Sequence, residues 1–432
     1  MIARESGNDH QKMRVAYLFQ APGLRFSDPQ AAQLHIYYTL RGLQKRGHDA
    51  ALLALQGQNV LYSDDIVVFR EENAARRHLR PPRISNSRPF LTAERAARRL
   101  QKTARLPYLA LFDSFRLYQA GRQFLSGYDL LHERFNLLAT GGAWASRRLG
   151  IPYVLEVNAD LLQQRKVKGD PLRGLRRWVA QWSTRFCFNS AAIIISVSPQ
   201  LTRHLERGWG VSPSQLATLP CAADTELFGA NGQPDQVRQQ LGLNGEPIVM
   251  WVGGFYPWHS LDLLIDSFSH VAAQVPGAKL VLVGDGETRP QIEQRVQELG
   301  LRNALVMVGA VPHRQVPDLM SIADVVVAPA PALGAEDGGT GTPLKLFEYM
   351  AAGKAIVATA VNQAETIIED GRTGILVAPG NDNAFAAAIT HLLNDPQKRQ
   401  QLGQNARRQA EERYSWDAYV MQLEKIYEQV LP

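Results

Sequence analysis

Cysteine is scarce in this chain: there are two in 432 residues, Cys187 and Cys221, at no metal-ligand spacing. That excludes a disulfide framework and a cysteine-built metal site, and it fits a reducing compartment. Long apolar runs are missing too. The longest, such as A-A-I-I-I-S-V at 191–197, are strand-sized, so no segment reads as membrane-spanning. The amino terminus, M-I-A-R-E-S-G-N-D-H-Q-K, lacks the apolar core of a signal peptide, and the expected location is cytoplasmic. Internal repeats are absent. Acidic residues are nearly absent from 76–105, where Arg76, Arg77, Arg80, Arg83, Arg88, Arg95, Arg98, Arg99, Lys102 and Arg105 meet only Glu94. No zinc-ligand pattern accompanies these arginines and aromatics are not interleaved among them, so nucleic acid is not an expected partner.

What is present is an α/β pattern. With 45% hydrophobic and 20% charged residues, 432 positions are enough for two cores. Short β-rich runs alternate with helix-length amphipathic stretches: M-R-V-A-Y-L-F, D-A-A-L-L-A-L, D-L-L-H-E-R, Y-V-L-E-V-N and A-I-I-I-S-V-S. The pattern pauses at the turn-rich 221–234 and restarts with I-V-M-W-V, K-L-V-L-V, L-V-M-V, D-V-V-V-A, A-I-V-A-T and G-I-L-V. The expected organisation is a doubly wound domain over 13–225, a second over 235–415, and a helix over 416–432 packing back on the first. The Arg-rich 70–125 reads as helical insertions. Ligands of open parallel sheets bind beyond the carboxyl ends of the strands, so the two domains are expected to face each other across a cleft that holds the site.

Within the second half, T-G-T-P-L-K-L-F-E-Y-M-A-A-G-K (340–354) reads as a short helix with marked ends: Thr342 as N-cap, Pro343 as first helical residue and Gly353 just past the end. Lys345 and Glu348 stand three apart on one face. The free N–H groups of the first turn attract phosphate, Lys345 adds a full charge, and Glu348 accepts hydrogen bonds from ribose hydroxyls. Other strands end in loops suited to a ligand. Gly253 and Gly254 permit close backbone approach, and His259 supplies a donor. Gly284 to Glu287 read as a β/α turn, and the loop from Gly309 to His313 is expected to hold a base against Val311.

Together these loops resemble glycosyltransferase family 4, the retaining nucleotide-sugar enzymes of the GT-B fold. The residues that carry the resemblance are W-V-G-G-F-Y-P-W-H, L-V-G-D-G, V-G-A-V-P, A-D-V-V-V-A-P, P-L-K-L-F-E-Y-M-A-A-G-K and D-G-R-T-G-I-L-V, with G-L-Q-K-R-G-H-D-A and P-Y-V-L-E-V-N in the first half. The resemblance implies two Rossmann-like domains. It also implies sugar transfer from a nucleoside diphosphate sugar, held mainly by the second, to a glycan, lipid-linked or small-molecule acceptor held by the first. It places donor binding on Gly253, Gly254, Gly284, Val311, Thr340, Thr342, Leu344, Lys345 and Glu348, the last as the ribose-binding member of a pair of glutamates. The other member of that pair falls on Thr340, with Glu336 and Asp337 nearby. The family's diphosphate-holding Arg and Lys fall on Gly254 and His259, and its P-N-G element on Pro220, Cys221 and Ala222.

Negative charge builds on a departing diphosphate, and pre-placed positive charge lowers that barrier. Lys345, together with a protonated or N–H-donating His259, is expected to replace the missing Arg and Lys, so Lys345, His259 and Glu348 form the expected catalytic set. Arg25, Arg134, Asn136, Glu156 and Asn158 follow first-domain strands and are the acceptor-side candidates. No D-x-D triplet occurs, so neither a metal nor any other cofactor is expected. Arg165, Lys166, Lys168, Arg173, Arg176 and Arg177 beside Trp178 and Trp182 suit peripheral contact with an anionic membrane. The alternatives are a non-catalytic nucleotide-sugar-binding subunit and a nucleotide-sugar epimerase.

Overall fold

The computed structural model describes residues 12–20, 31–56, 59–65, 79–80, 84–85, 87–103, 110–167, 169–229, 232–331, 344–361 and 363–431. The chain divides into two compact units, one of Met1–Leu219 with Val420–Pro432, the other of Pro220–Tyr419.

The first unit is built on an eight-stranded sheet in the order β4-β3-β2-β1-β5-β6-β7-β8. Its strands are β1 Arg14–Phe19, β2 Asp49–Gln56, β3 Asn59–Ser63, β4 Leu79–Arg80, β5 Leu130–Arg134, β6 Tyr153–Val157, β7 Ile193–Ser196 and β8 Leu216–Thr218. Strand β1 pairs in parallel with β2 (Val15 opposite Ala50) and with β5 (Val15 opposite Leu130). Val15 to Phe19 are all buried, which is why β1 is apolar at successive positions rather than at alternate ones. Only β3 runs against the other strands: it pairs antiparallel with β2 on one side and with β4, at the sheet edge, on the other. Helices Arg88–Thr103 and Leu111–Phe124 occupy the Arg-rich region. Glu94, the one acidic residue of the Arg88–Thr103 helix, is fully buried and bonded to Arg116 and Arg98, so it anchors the helix from inside.

The last helix, Trp416–Glu428, has its amphipathic period fulfilled in the first unit. Val420, Leu423 and Tyr427 are fully buried, and Glu424 accepts from Arg46 Nε (2.5 Å) and His48 Nε2 (2.8 Å). Gly42 is small because a Cβ there would lie 2.5 Å from Val420 Cγ2. Among the described residues no helix is long and apolar enough to cross a membrane.

The second unit carries a six-stranded, all-parallel sheet in the order β11-β10-β9-β12-β13-β14. The strands are β9 Ile248–Val252, β10 Lys279–Val283, β11 Leu305–Gly309, β12 Val325–Ala328, β13 Ala355–Thr359 and β14 Ile375–Val377. Trp251, Phe255, Leu264, Phe268 and Phe385 form its core with the strand valines. The strand order reverses between β9 and β12, the place where such sheets leave a crevice at their carboxyl ends.

Candidate functional site

Strand β9 ends at Gly253, whose φ of +151° and lack of a side chain are both required. A Cβ at Gly253 would stand 2.9 Å from Lys345 Nζ and 3.1 Å from the Trp251 ring. The end of β10 is as tight: a Cβ at Gly284 (φ +138°) would fall 1.8 Å from the Gly253 carbonyl oxygen. Backbone bonds hold the two loops together, from Gly253 N to Val283 O (2.9 Å) and from Phe255 N to Asp285 O (2.9 Å).

The helix after β12 spans Leu344–Ala351. Gly353, at φ +64°, closes it, with Lys354 N donating to Tyr349 O. Tyr349 faces the sheet, where its hydroxyl oxygen accepts from Val252 N at 2.9 Å and ties the helix to the end of β9. This puts Lys345 at the mouth of the crevice, half-buried, with Nζ 4.0 Å from the centre of the Trp251 ring. Burial pushes the Lys345 ammonium down to about 7, against the opposing pull of the Glu348 carboxylate.

His259 sits beside the same indole, ring centres 5.6 Å apart in an edge-on arrangement. Its Nδ1 lies 2.6 Å from the Gly254 carbonyl and therefore carries the proton and donates it. Burial, and then the charge of Lys345, push the imidazole down to about 4, with the Gly254 bond opposing. The expectation of a protonated or N–H-donating His259 is corrected here. At neutral pH the ring is uncharged, its single N–H is already used by the backbone, and Nε2 offers a lone pair.

Glu348 is held from a neighbouring loop. His313 Nε2 lies 2.8 Å from Glu348 Oε1, and the His313 ring packs edge-on against Phe228. Burial opposes charge on His313, but the hydrogen bond and charge of Glu348, aided by Asp224, raise its pKa above the ordinary value. Val311 lies two residues before this histidine, partly exposed, and Leu344 opens the helix one residue before Lys345. Thr340 and Thr342 lie outside the described residues, as do Glu336, Asp337, Pro343 and, in the first unit, Arg25.

In the first unit, Arg134, Glu156 and Asn158 do come together, in a different role from the one expected of Glu156. That carboxylate is 1% exposed and both oxygens are occupied. Oε1 accepts from Arg134 Nη1 (2.7 Å) and Asn158 Nδ2 (2.6 Å); Oε2 accepts from the Tyr17 hydroxyl (2.9 Å) and faces His35 Nε2 (3.0 Å). Although burial disfavours its charge, His35 and Arg134 hold its carboxyl well below the usual range. Glu156 is an interior anchor rather than an open acceptor contact, because its hydrogen-bonding capacity is spent inside the fold. Asn136 holds its own loop, donating to Gln20 O at 2.9 Å and accepting from Leu137 N. The carboxyl-terminal helix joins this cluster through His132, whose Nε2 lies 3.4 Å from Glu156 Oε2 and whose Nδ1 is 2.6 Å from the Tyr427 hydroxyl.

Sequence reasoning missed Trp251 as the platform under Lys345 and His313 as the partner of Glu348. The available signals were a tryptophan one residue from the carboxyl end of a core strand and a histidine within reach of the β11 loop.

Known proteins share this architecture. Two family descriptions match the chain: "Glycosyl transferase 4-like domain" over residues 31–222 and "Glycosyl transferases group 1" over residues 233–409. The chain is 27% identical over 290 residues to alpha-D-kanosaminyltransferase of Streptomyces kanamyceticus, covering 66% of this chain and 72% of the relative. Among solved structures it is similar to sucrose-phosphate synthase from Thermosynechococcus elongatus (TM-score 0.67, 22% identity, 96% of this chain and 98% of that one). It is also similar to Anabaena HepE in complex with UDP (TM-score 0.66, 21% identity, 96% and 100%).

Proposed function

We propose, because this chain belongs to glycosyltransferase family 4 and has the GT-B fold, that its second unit binds a nucleoside diphosphate sugar whose sugar is transferred with retention to a glycan, lipid-linked or small-molecule acceptor. One observation carries the reading: the Lys345 ammonium stands at the carboxyl end of β9, against Trp251 and Gly253, with Glu348 one turn further along the same helix. UDP in the Anabaena neighbour and the sugar chemistry in the relative's name support a nucleotide-sugar donor.

In this proposal Lys345 faces the diphosphate. Its free-state pKa of about 7 means that the arriving anion draws a proton onto the amine. The resulting cation stabilises the charge that grows on the diphosphate as the glycosidic bond breaks. One well-placed group of this kind contributes about 2.7–4 kcal/mol, more than the roughly 0.3–1 kcal/mol of a surface helix terminus. Glu348, oriented by His313, accepts the ribose hydroxyls. His259, with Nε2 unprotonated, serves as a hydrogen-bond acceptor. The reaction uses no metal in this reading, since the chain has no D-x-D triplet and Lys345 supplies the positive charge. Peripheral contact with an anionic membrane would bring the enzyme to a lipid-linked acceptor.

The engagement of the His259 Nδ1 proton by the Gly254 carbonyl at 2.6 Å, which leaves no N–H of that ring for a diphosphate, also favours a second reading, a nucleotide-sugar-binding subunit without turnover. Thermal shifts with UDP, GDP, ADP and their sugars, followed by an assay for released nucleoside diphosphate, test both. A shift with release supports transfer; a shift without release, with or without acceptors, supports the binding subunit; no shift with any nucleotide overturns both.

A further inference from the structure

The helix Gly174–Ser190 of the first unit presents an apolar ridge to solvent. Of the eight large hydrophobic side chains that are exposed among the described residues, three stand on this one helix: Leu175 at 58%, Trp178 at 62% and Trp182 at 48%. Their spacing of three and then four residues lines them along a single stripe about 10 Å long. The opposite stripe, Ala180, Ser183, Thr184, Cys187 and Phe188, is buried against the unit. Trp182 stacks on Phe186 (5.7 Å, 15°), and Phe186 in turn lies under the Arg147 guanidinium at 4.7 Å, so the far end of the ridge is held in place.

Along this helix the charge beside the ridge is of one sign. Arg173, Arg176, Arg177 and Arg185 are exposed along the helix, which contains no Asp or Glu. Across 161–190 the sequence holds seven basic residues and one acid, Asp170, which is paired with Arg165. The Arg88–Thr103 helix, with five basic residues and one acid, is also basic but differs in kind. It exposes one large hydrophobic, Leu100, and its Arg98 is tied to buried Glu94 and Asp113.

We propose that the Gly174–Ser190 helix is a docking surface for an anionic lipid bilayer, its Leu175, Trp178 and Trp182 ridge entering the interface while the flanking arginines meet lipid phosphates. The pattern is that of a helix lying in the membrane plane: indole rings at headgroup depth, aliphatic carbon below them and guanidinium groups at the phosphate level. A protein partner of matching acidity would serve the arginines, but two adjacent exposed indoles beside a one-sided basic rim suit an interface that is apolar inside and anionic outside. The proposal rests on the membrane contact suggested for the enzyme and gives it a surface; it fails or holds separately from the transfer reaction, because the nucleotide site lies in the other unit.

The test is co-sedimentation of the full chain with phosphatidylcholine vesicles with and without phosphatidylglycerol. Binding is expected with phosphatidylglycerol and at least about tenfold weaker without it. The double variant Trp178→Ser, Trp182→Ser is expected to lose at least about tenfold in partitioning. The double variant Arg95→Glu, Arg99→Glu, on the other basic helix, is expected to bind nearly as well as the parent. Both variants should keep the parent melting temperature and the nucleotide-induced shift, since all four positions are exposed. No binding by the parent, or equal binding by the tryptophan variant, overturns the proposal. So does an analytical ultracentrifugation result in which the tryptophan variant converts a dimer to a monomer, since a second copy of the chain would then be the occupant.

Discussion

His313 Nε2 lies 2.8 Å from Glu348 Oε1, so the loop after β11 and the helix after β12 are joined at the carboxylate proposed to bind ribose. The pair fixes where that carboxylate points before any nucleotide arrives. Removing His313 leaves Glu348 in place but unaimed. His313→Ala is expected to weaken nucleotide-sugar binding by roughly tenfold, the scale of one charge-assisted hydrogen bond, and Glu348→Gln by more. Isothermal titration of both variants measures this, with melting temperatures confirming that they fold.

Lys345→Ala is expected to reduce kcat by about 10²- to 10³-fold while changing donor affinity less than tenfold, as for loss of a group that acts mainly in the transition state. Steady-state kinetics and nucleotide titration of the same preparation separate the two effects. Near-normal turnover would reject Lys345 as the leaving-group partner.

Donor binding is expected to depend on pH through Lys345, which faces Trp251, His259 and Glu348. Burial lowers the free-state pKa to about 7, and a bound diphosphate raises it, so binding takes up a proton around and above pH 7. Affinity is highest below pH 7 and falls as pH rises through the free-state value. Calorimetry in two buffers of different ionisation enthalpy reports the proton directly, and Lys345→Met abolishes the uptake.

Glu133 gives a pH dependence of stability unconnected with nucleotide. It lies buried under the start of the Gly141–Leu149 helix, where a Cβ on Gly142 would reach within 2.0 Å of it, and the Tyr153 hydroxyl donates to it at 2.6 Å. Burial pushes its carboxyl from the ordinary 4.5 up to about 7, with the Tyr153 bond opposing. The folded state thus holds this proton more tightly than the unfolded state. Its contribution is full below the ordinary value and is lost as pH rises through about 7. Glu133→Gln is expected to flatten that fall, measured as melting temperature from pH 5 to pH 8.

Much of the fold was legible because its strands are buried on both faces. The runs R-V-A-Y-L-F, I-V-M-W-V and V-V-V-A announce themselves without any partner in view. The β3 strand was not, since Asn59–Ser63 is only five residues long and its antiparallel pairing with β2 and β4 is not written in its own composition. Lys345 and Glu348 were legible from their place on one short helix. Glu156 looked like an open strand-end carboxylate, and no local pattern tells that Tyr17, His35, Arg134 and Asn158 converge on it from distant positions.

The amino-acid sequence by itself determined the alternation of strand and helix, the glycines at the strand ends and the family, because apolar periodicity and backbone freedom are properties of neighbouring residues. Only the tertiary structure decided which of the charged groups carry charge. Lys345 sits against an indole with its pKa brought down to about 7, His259 loses its proton to burial, and Glu156 is spent inside the first unit. Each outcome depends on dielectric and on partners brought together from far along the chain.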